Sequence, residues 1–524
     1  MITISDEITR AFSAIGVHGA KLSVSNRPDL ADYMSDAALG AAKELRRSPA
    51  SIAQEVVDRL SQDGYTASVA GGFVNIRLHD DKIADMLVSL DDTRRMVSNP
   101  ETFVIDSGGP NIAKPMHVGH LRSLVIGDAL ARILRYMGHR VIKDVHYGDW
   151  GFQMGLLLAW PEDAETIDDL QAIYPQAAQR AKDDPEFKAA AQRATVALQN
   201  GDPDLTARWQ KMRDLTEQSV TSDFAKLGVS FDEYLGESDS MPFVRFIEHA
   251  LMARNTLVES DGAHIVETPY GALMFRNSEG GYLYAATDLA TVVMRDDMMP
   301  NHGTHTALYV VDERQSLHFK QVFEVAQQFS PARLEHIGFG TVNGPDGKPF
   351  KTRAGGVPRL RDLMDEAISK AAERNPDSAR RVAMAALKFG DLINRRTGSY
   401  TFDLDKALRF EGKTGAYMLY QVARIRSIIR QAEVAPGRVE ITDADERALA
   451  LHLLGFYPVV ERAAETRMPH LIAEYAYETA QRFARFYTGA PIKSSRSRLA
   501  LAKRAEMTLY LALNLLGIET VNEM

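Results

Sequence analysis

The 524-residue chain contains no cysteine. That excludes disulfides, thiolate zinc sites, iron–sulfur clusters and cysteine nucleophiles, and it fits a cytoplasmic home. Long apolar runs are missing too. None approaches the roughly 20 residues that a membrane-spanning helix needs, so no membrane partner is expected. The opening MITISDEITRAFSAIG carries acids and has no basic segment ahead of an apolar core, so it does not read as a secretory signal. Positive charge is scarce over most of the chain. The net charge is −9, yet residues 370–524 hold 24 Lys and Arg against 18 Asp and Glu, while the rest holds 37 against 52. A basic C-terminal third on an acidic body suits local phosphate contacts.

What is present is ordinary for a soluble globular protein, with 45% hydrophobic and 25% charged residues. The length calls for more than one domain. Residues 1–95 read as an α+β unit, in which TRAFSAIG and SPASIAQEVVDRLSQDG have helical spacing and TASVAGGFVNIRLH alternates as a hairpin. LDDTRRMVSNPE is polar and reads as a linker. TFVIDS (102–107) is a short buried strand, followed by a Gly- and Pro-containing loop. A helix then begins near Met116, with Leu121, Leu124, Val125, Ala129, Ile133 and Leu134 along one side and Gly138 as its stop. RVIKDVHYGDWG supplies the next strand. Strand–loop–helix–strand is the opening of a Rossmann-type, doubly wound parallel sheet, predicted over 100–356. Residues 161–230 interrupt it as a polar, alanine-rich helical insertion. Strand signals return in AHIVETP, GALMFRN, ALYVVDE and HIGFGTV (336–342), before the loop NGPDGKPFKTRAGG. Residues 357–524 read as an all-α bundle.

The segment NIAKPMHVGH (111–120) carries the chemistry. His117 and His120 are three apart in a first helical turn, so both point to one side. A zinc pair would more often stand four apart with a glutamate base between, and neither occurs here. A merely structural pair is the second reading. In the third, free amides and the dipole at the helix start attract phosphate. Gly119 lets a flat ligand approach the backbone, and the imidazoles donate to phosphate oxygens.

SGGPNIAKPMHVGHLRS resembles the ATP-binding signature of class I aminoacyl-tRNA synthetases, in the form carried by the arginyl-tRNA synthetases. YLYAATD (282–288), VVDERQSLHFKQVF (310–323), DGKPFKTRAGG (346–356), FEGKTGAYMLYQVARIRS (410–427), the ADYMSDAALGAAKEL stretch and the ending LLGIETVNEM are similar to the same family. The resemblance implies an arginine–tRNA ligase. Such an enzyme activates L-arginine with ATP, whose Mg2+ travels with the nucleotide and needs no dedicated metal site, and then charges tRNA-Arg. Pro115 and Gly119 would line the ATP site with His117 and His120. Lys114, Lys351 and Arg353 would supply cations. PFKTRAG stands where class I enzymes usually write Lys-Met-Ser-Lys-Ser, and Lys114 would compensate. The guanidinium, planar and permanently charged, calls for carboxylates and an aromatic edge. Positions matching the family's pocket are Asp106, Asn111, Glu237, Tyr284, Asp288 and Gln315. For any one acid a surface or capping role remains open, as for Asp288 after Thr287. Gly108-Gly109 replaces serines more usual in the family.

On AYMLYQVARIRSIIR, helical geometry puts Met418, Val422, Ile425 and Ile429 on one side and Tyr417, Tyr420 and Arg424 nearly opposite. Aromatics with arginine outside a core stripe suit stacking on splayed anticodon bases, and packing on a neighbouring helix is the other reading. Arg485 and Tyr487 join them, with Arg482, Phe486 and the run KSSRSR (493–498) as secondary candidates. By family likeness the N-terminal unit would touch the tRNA elbow. A monomer is expected. Two alternatives stand beside the ligase: a paralogue passing activated arginine to a non-tRNA acceptor, and an inactive tRNA-binding protein.

Overall fold

The computed structural model describes residues 2–90, 97–278, 280–299, 305–344, 347–348, 358–489 and 491–524. Part of the linker and the loop bearing Lys351 and Arg353 lie outside these described residues.

The N-terminal unit starts with α1 (Ile2–Ser13), β1 (Ser23–Val24), β2 (Tyr33–Ser35), α2 (Ala37–Leu45) and α3 (Pro49–Val57). It continues with β3 (Tyr65–Ala70), β4 (Phe73–Leu78) and α4 (Asp80–Ser89). The strands pair antiparallel in the order β1-β2-β4-β3. The β3–β4 hairpin turns at Gly71 and Gly72, whose φ values of 59° and 86° are costly for any side chain.

The central elements are β5 (Thr102–Ser107), α5 (Val118–Tyr136), β6 (Arg140–Tyr147), α6 (Phe152–Leu158), α7 (Ile167–Asp183), α8 (Pro185–Gln199) and α9 (Pro203–Leu227). Then come β7 (Glu233–Gly236), α10 (Glu237–Ala253), β8 (Leu257–Ser260), β9 (Ala263–Thr268), β10 (Gly271–Arg276) and α11 (Tyr284–Asp297). β11 (Thr306–Val310), α12 (Ser316–Ala326), β12 (Arg333–His336) and β13 (Val342–Asn343) follow. The main sheet is parallel throughout, ordered β12-β11-β5-β6-β7. Strand order reverses between β5 and β11, so the ligand crevice of a doubly wound sheet falls beyond their C-terminal ends. All six residues of the α5 stripe are buried, and Gly138 has φ 94°, as a left-handed stop requires.

Two strand expectations need correction. AHIVETP and GALMFRN do not join the main sheet but form their own antiparallel sheet, β10-β9-β8. The strand read at 336–342 instead spans Arg333–His336. Beyond it the Ile337 and Phe339 amides still bond to carbonyls of Tyr309 and Val311, the chain passes close to Gly398 and Ser399 at Gly340, and Val342 pairs with Tyr400 in a separate two-stranded ladder.

The C-terminal part contains α13 (Leu360–Ala372), α14 (Ala379–Leu392), β14 (Tyr400–Thr401), α15 (Leu404–Ala407) and α16 (Gly415–Arg430). It ends with α17 (Ala444–Leu454), α18 (Phe456–Thr466), α19 (His470–Gly489) and α20 (Arg496–Leu515). One apolar core runs from the N-terminal unit through the α5 side of the sheet into this bundle. A second core lies among α10, α11, α12 and the small sheet. Arg122 on α5 ties the layers together. It forms a 2.9 Å ion pair with Asp391 of α14, both side chains 1% exposed, and it donates to the carbonyls of Gly340 and Gly398. Arg447 of α17 clasps Asp32 with two hydrogen bonds of 2.7 and 2.9 Å and also donates to Asp80 and the Leu78 carbonyl, docking the N-terminal unit.

Candidate active site

His117 is the N-cap of α5. Its Nδ1 accepts from the Gly119 amide at 3.0 Å, and His120 Nδ1 accepts from the His117 amide at 3.0 Å. The two rings lie 4.0 Å apart. This is a capping box built from imidazoles. Because each Nδ1 accepts, the proton of each neutral ring resides on Nε2, which is left to donate. Burial lowers the His120 pKa to about 3, helped by the neighbouring His117 ring. Burial and the Arg314 charge also hold His117 below its ordinary value. Both are therefore neutral donors at pH 7. Engagement of both Nδ1 atoms weakens the metal-pair reading. Among the described residues, no group of three or more His, Asp or Glu could hold a metal ion. A Cβ on Gly119 would sit 2.7 Å from His117 Cε1, so the space the glycine frees is taken up by the imidazole.

Ala113, just ahead, has φ 66°, a strained value for a residue with a side chain. Its amide donates to Thr216 Oγ1 of α9. That kink carries Lys114 toward the helical insertion, where its Nζ lies 4.8 Å from the centre of the Tyr174 ring. Pro115 lines the same recess as Lys114, beside Arg359 and Arg361.

Among the acids, Asp149 and Asp288 lie close enough to Glu237 for their charges to be felt there. A cavity of about 350 Å3 is lined by Glu237, Tyr284, Tyr282, Trp150, Phe152 and Lys188, among others. Glu237 begins α10, and its Oε2 accepts from the Trp150 amide at 3.2 Å. Burial, then the charges of Asp149 and Asp288, push its carboxyl up to about 7. Tyr284 opens α11 and Asp288 lies one turn on. Tyr284 lines the cavity with Glu237 while remaining largely exposed, and desolvation followed by the charges of Glu237 and, more weakly, Asp288 holds its pKa above the ordinary value. The N-cap of α11 is Leu283, so the capping reading of Asp288 fails. Asn111 bridges to Gly148, and its Oδ1 accepts from Gln153 at 3.2 Å. Gln315 is exposed at the end of a 3-10 turn after β11.

Asp106 stands apart from this group. Its Oδ2 accepts from Arg295 at 2.7 Å, and the same guanidinium, 1% exposed, serves Asp144 at 2.6 Å. A buried cation requires that compensation, so the Asp106 charge is spent inside the protein rather than held for a ligand. Sequence reasoning missed Asp149, whose Oδ1 accepts from the Ser238 amide at 2.9 Å behind Glu237. It also missed His146 and Arg295. Gly108 has φ 94°, which favours glycine, and its amide donates to Ser123 Oγ at 2.8 Å. The Ser123 hydroxyl in turn donates to the Val310 carbonyl at 2.6 Å, so it is spent within the fold.

On the bundle, Met418, Val422 and Ile425 are buried as the stripe requires. Tyr417 is half-buried with its ring 5.9 Å from Tyr477, and Tyr420 is exposed. The Arg424 guanidinium lies 4.4 Å from the centre of the Tyr487 ring, and Lys413 approaches Tyr477 at 5.6 Å. Arg485 is exposed on α19, two residues before Tyr487. Tyr477 and Lys413 complete this face without having been singled out. Phe486 is fully buried, and Arg498 from the basic run is held by Glu446 at 2.7 Å, so both belong to the core.

Family models match three consecutive stretches: the arginyl-tRNA synthetase N-terminal domain over residues 3–78, the class I (R) tRNA synthetase catalytic domain over 82–404, and the DALR anticodon-binding domain over 418–524. The chain belongs to the arginyl-tRNA synthetases. An arginine–tRNA ligase from Hyphomonas neptunium is 40% identical, with 98% of each chain aligned. The arginyl-tRNA synthetase of Thermus thermophilus superposes with TM-score 0.82 at 26% identity, covering 100% of this chain and 99% of that one. The Plasmodium falciparum arginyl-tRNA synthetase shares the fold with TM-score 0.85 at 24% identity, over 100% of this chain and 98% of that one. Membership of the class I synthetases implies use of ATP. Among the described residues no helix is long and apolar enough to cross a membrane.

Proposed function

We propose that this protein activates L-arginine with ATP and transfers it to the 3' end of tRNA-Arg. The first step joins an arginine carboxylate oxygen to the α-phosphorus and breaks the bond to the leaving pyrophosphate, giving arginyl-adenylate. In the second, a hydroxyl of the terminal ribose attacks the activated carbonyl and releases AMP. The protein must align two anions and stabilise charge that grows on the leaving group. Nε2 of His117 and His120 and Lys114 would do this, with Lys351 and Arg353 as further cations, whereas the amides at the start of α5 are taken up by the imidazoles and by backbone carbonyls. Removal of one such donor costs on the order of 3 kcal/mol of transition-state stabilisation. Mg2+ enters with the nucleotide.

Arginine would lie with its guanidinium between Glu237 and Asp288, Tyr284 along its edge, and Asn111 and Gln315 on its polar groups. Lysine would leave part of that buried fork unpaired, so discrimination needs no separate editing site. Residues 1–95 would contact the tRNA body and 100–356 carry the chemistry. Within 357–524, Tyr417, Tyr420, Arg424, Arg485 and Tyr487 would meet the anticodon. We place the enzyme in the cytoplasm, as a monomer.

The observation that supports this reading is that both Nδ1 atoms at the start of α5 are engaged, which leaves each Nε2 to donate, in a domain whose cavity is lined by Glu237 and Tyr284. Arginine-dependent ATP–pyrophosphate exchange, run with and without tRNA, tests it. Exchange with lysine in place of arginine would overturn the pocket, and no exchange under either condition would overturn the reaction.

A further inference from the structure

His318 lies in the second turn of the segment that follows β11, three residues beyond Gln315. Its Nε2 donates to Asp288 Oδ2 at 2.6 Å, with the two side chains 32% and 31% exposed. The imidazole is fixed from behind. It meets the Phe319 ring edge-on at 5.5 Å, and Phe319 is buried against Tyr309 and Phe323. Asp288 is no ordinary surface acid, because its charge is felt by Glu237, Tyr284 and Tyr309. Among the described residues, no protein donor meets its other oxygen, Oδ1.

We propose that His318 is a positioning residue for arginine recognition. It pins one oxygen of Asp288 and so turns Oδ1 toward the guanidinium. The proposal deepens the reading of the cavity as the arginine site and rests on it. A free carboxylate at the end of a short side chain rotates about χ2, and most of its rotamers miss the fork geometry that a guanidinium needs. A fixed donor on one oxygen removes that freedom before the substrate arrives, which lowers the ordering cost of binding. The same restraint fixes the depth at which the guanidinium is held, so it should favour arginine over a homologue one methylene longer.

Kinetics of His318→Ala, His318→Gln and the pair His318→Ala with Asp288→Asn test this in the full-length enzyme with tRNA present. His318→Ala should raise the KM for arginine about tenfold, the scale of one hydrogen bond to a charged group, while KM for ATP and kcat stay within about twofold. The kcat/KM ratio of arginine to L-homoarginine should fall. His318→Gln keeps a donor at similar reach and should recover most of both losses. In the Asp288→Asn background, His318→Ala should cost nothing further. An unchanged arginine KM, an equal rise in KM for ATP, a glutamine variant as impaired as alanine, or additive losses in the pair would each overturn the proposal. Wild-type charging is the control: its absence defeats the functional reading, whereas an active wild type with an indifferent His318→Ala defeats only this inference.

Discussion

Lowering the pH from 8 to 6 should raise the arginine concentration needed for half-saturation by about tenfold. The reason is Glu237, whose carboxyl burial and the nearby Asp149 push up to about 7 in the empty cavity. A guanidinium pairs with the carboxylate and not with the neutral acid, so binding must release this proton. The sign follows: below the raised pKa the proton stays and opposes binding, and above it the site stands ready. With a pKa of about 7, roughly nine-tenths of the sites are ionised at pH 8, half at pH 7 and about one in eleven at pH 6. The ratio of the outer two gives the tenfold. His146 acts in the same direction. Burial opposes its protonation, but the Asp144 carboxylate 3.6 Å away raises its pKa overall, so acid adds a cation nearby. Glu237→Gln separates the two. It should raise KM by about ten- to a hundredfold at pH 8 and remove most of the slope, leaving whatever His146 contributes. The assay is arginine-dependent pyrophosphate exchange at saturating ATP with tRNA present, between pH 6 and 8. A KM that stays flat within twofold, or that falls as the solution is acidified, would refute the reasoning.

Gly119→Ala should leave the fold intact and slow arginine activation by about a hundredfold, because the new Cβ displaces the His117 ring 2.7 Å away while the arginine cavity is untouched; single-turnover adenylate formation against arginine binding measures the split. Asp391→Ala strands the Arg122 guanidinium in the core and should cost about 3–5 kcal/mol of stability, read from a denaturant midpoint. Tyr477→Ala removes the ring between Tyr417 and Lys413 and should raise KM for tRNA by about five- to a hundredfold at the scale of one lost stacking platform, with pyrophosphate exchange at saturating tRNA unchanged. Arg447→Ala breaks the clasp on Asp32 and Asp80 and should expose the α4–α17 junction to limited proteolysis, where the wild type resists.

Local pattern determined a good deal here. The apolar stripe behind two histidines around a glycine was enough to place a helix start there, since the stripe acts within a few residues of chain, but that the imidazoles would themselves take the first amides was not legible. The β3–β4 hairpin was equally legible from its alternation and its glycine pair, and the tyrosine–arginine face of α16 from helical period alone. Partnership was not legible. Asp106 reads as a pocket acid until Arg295, 189 residues away, claims it, because a buried guanidinium must be neutralised by whatever carboxylates the sheet brings alongside. Asp288 could have capped a helix until His318 and Leu283 placed it in the second turn of α11. Arg498 and Phe486 looked like surface candidates in a basic, aromatic stretch, and the packing of α19 on α20 buried them. The division has a physical reason. Backbone periodicity and caps are decided by neighbours along the chain, whereas the charge state and the occupant of each carboxylate are decided by burial, which only the folded molecule sets.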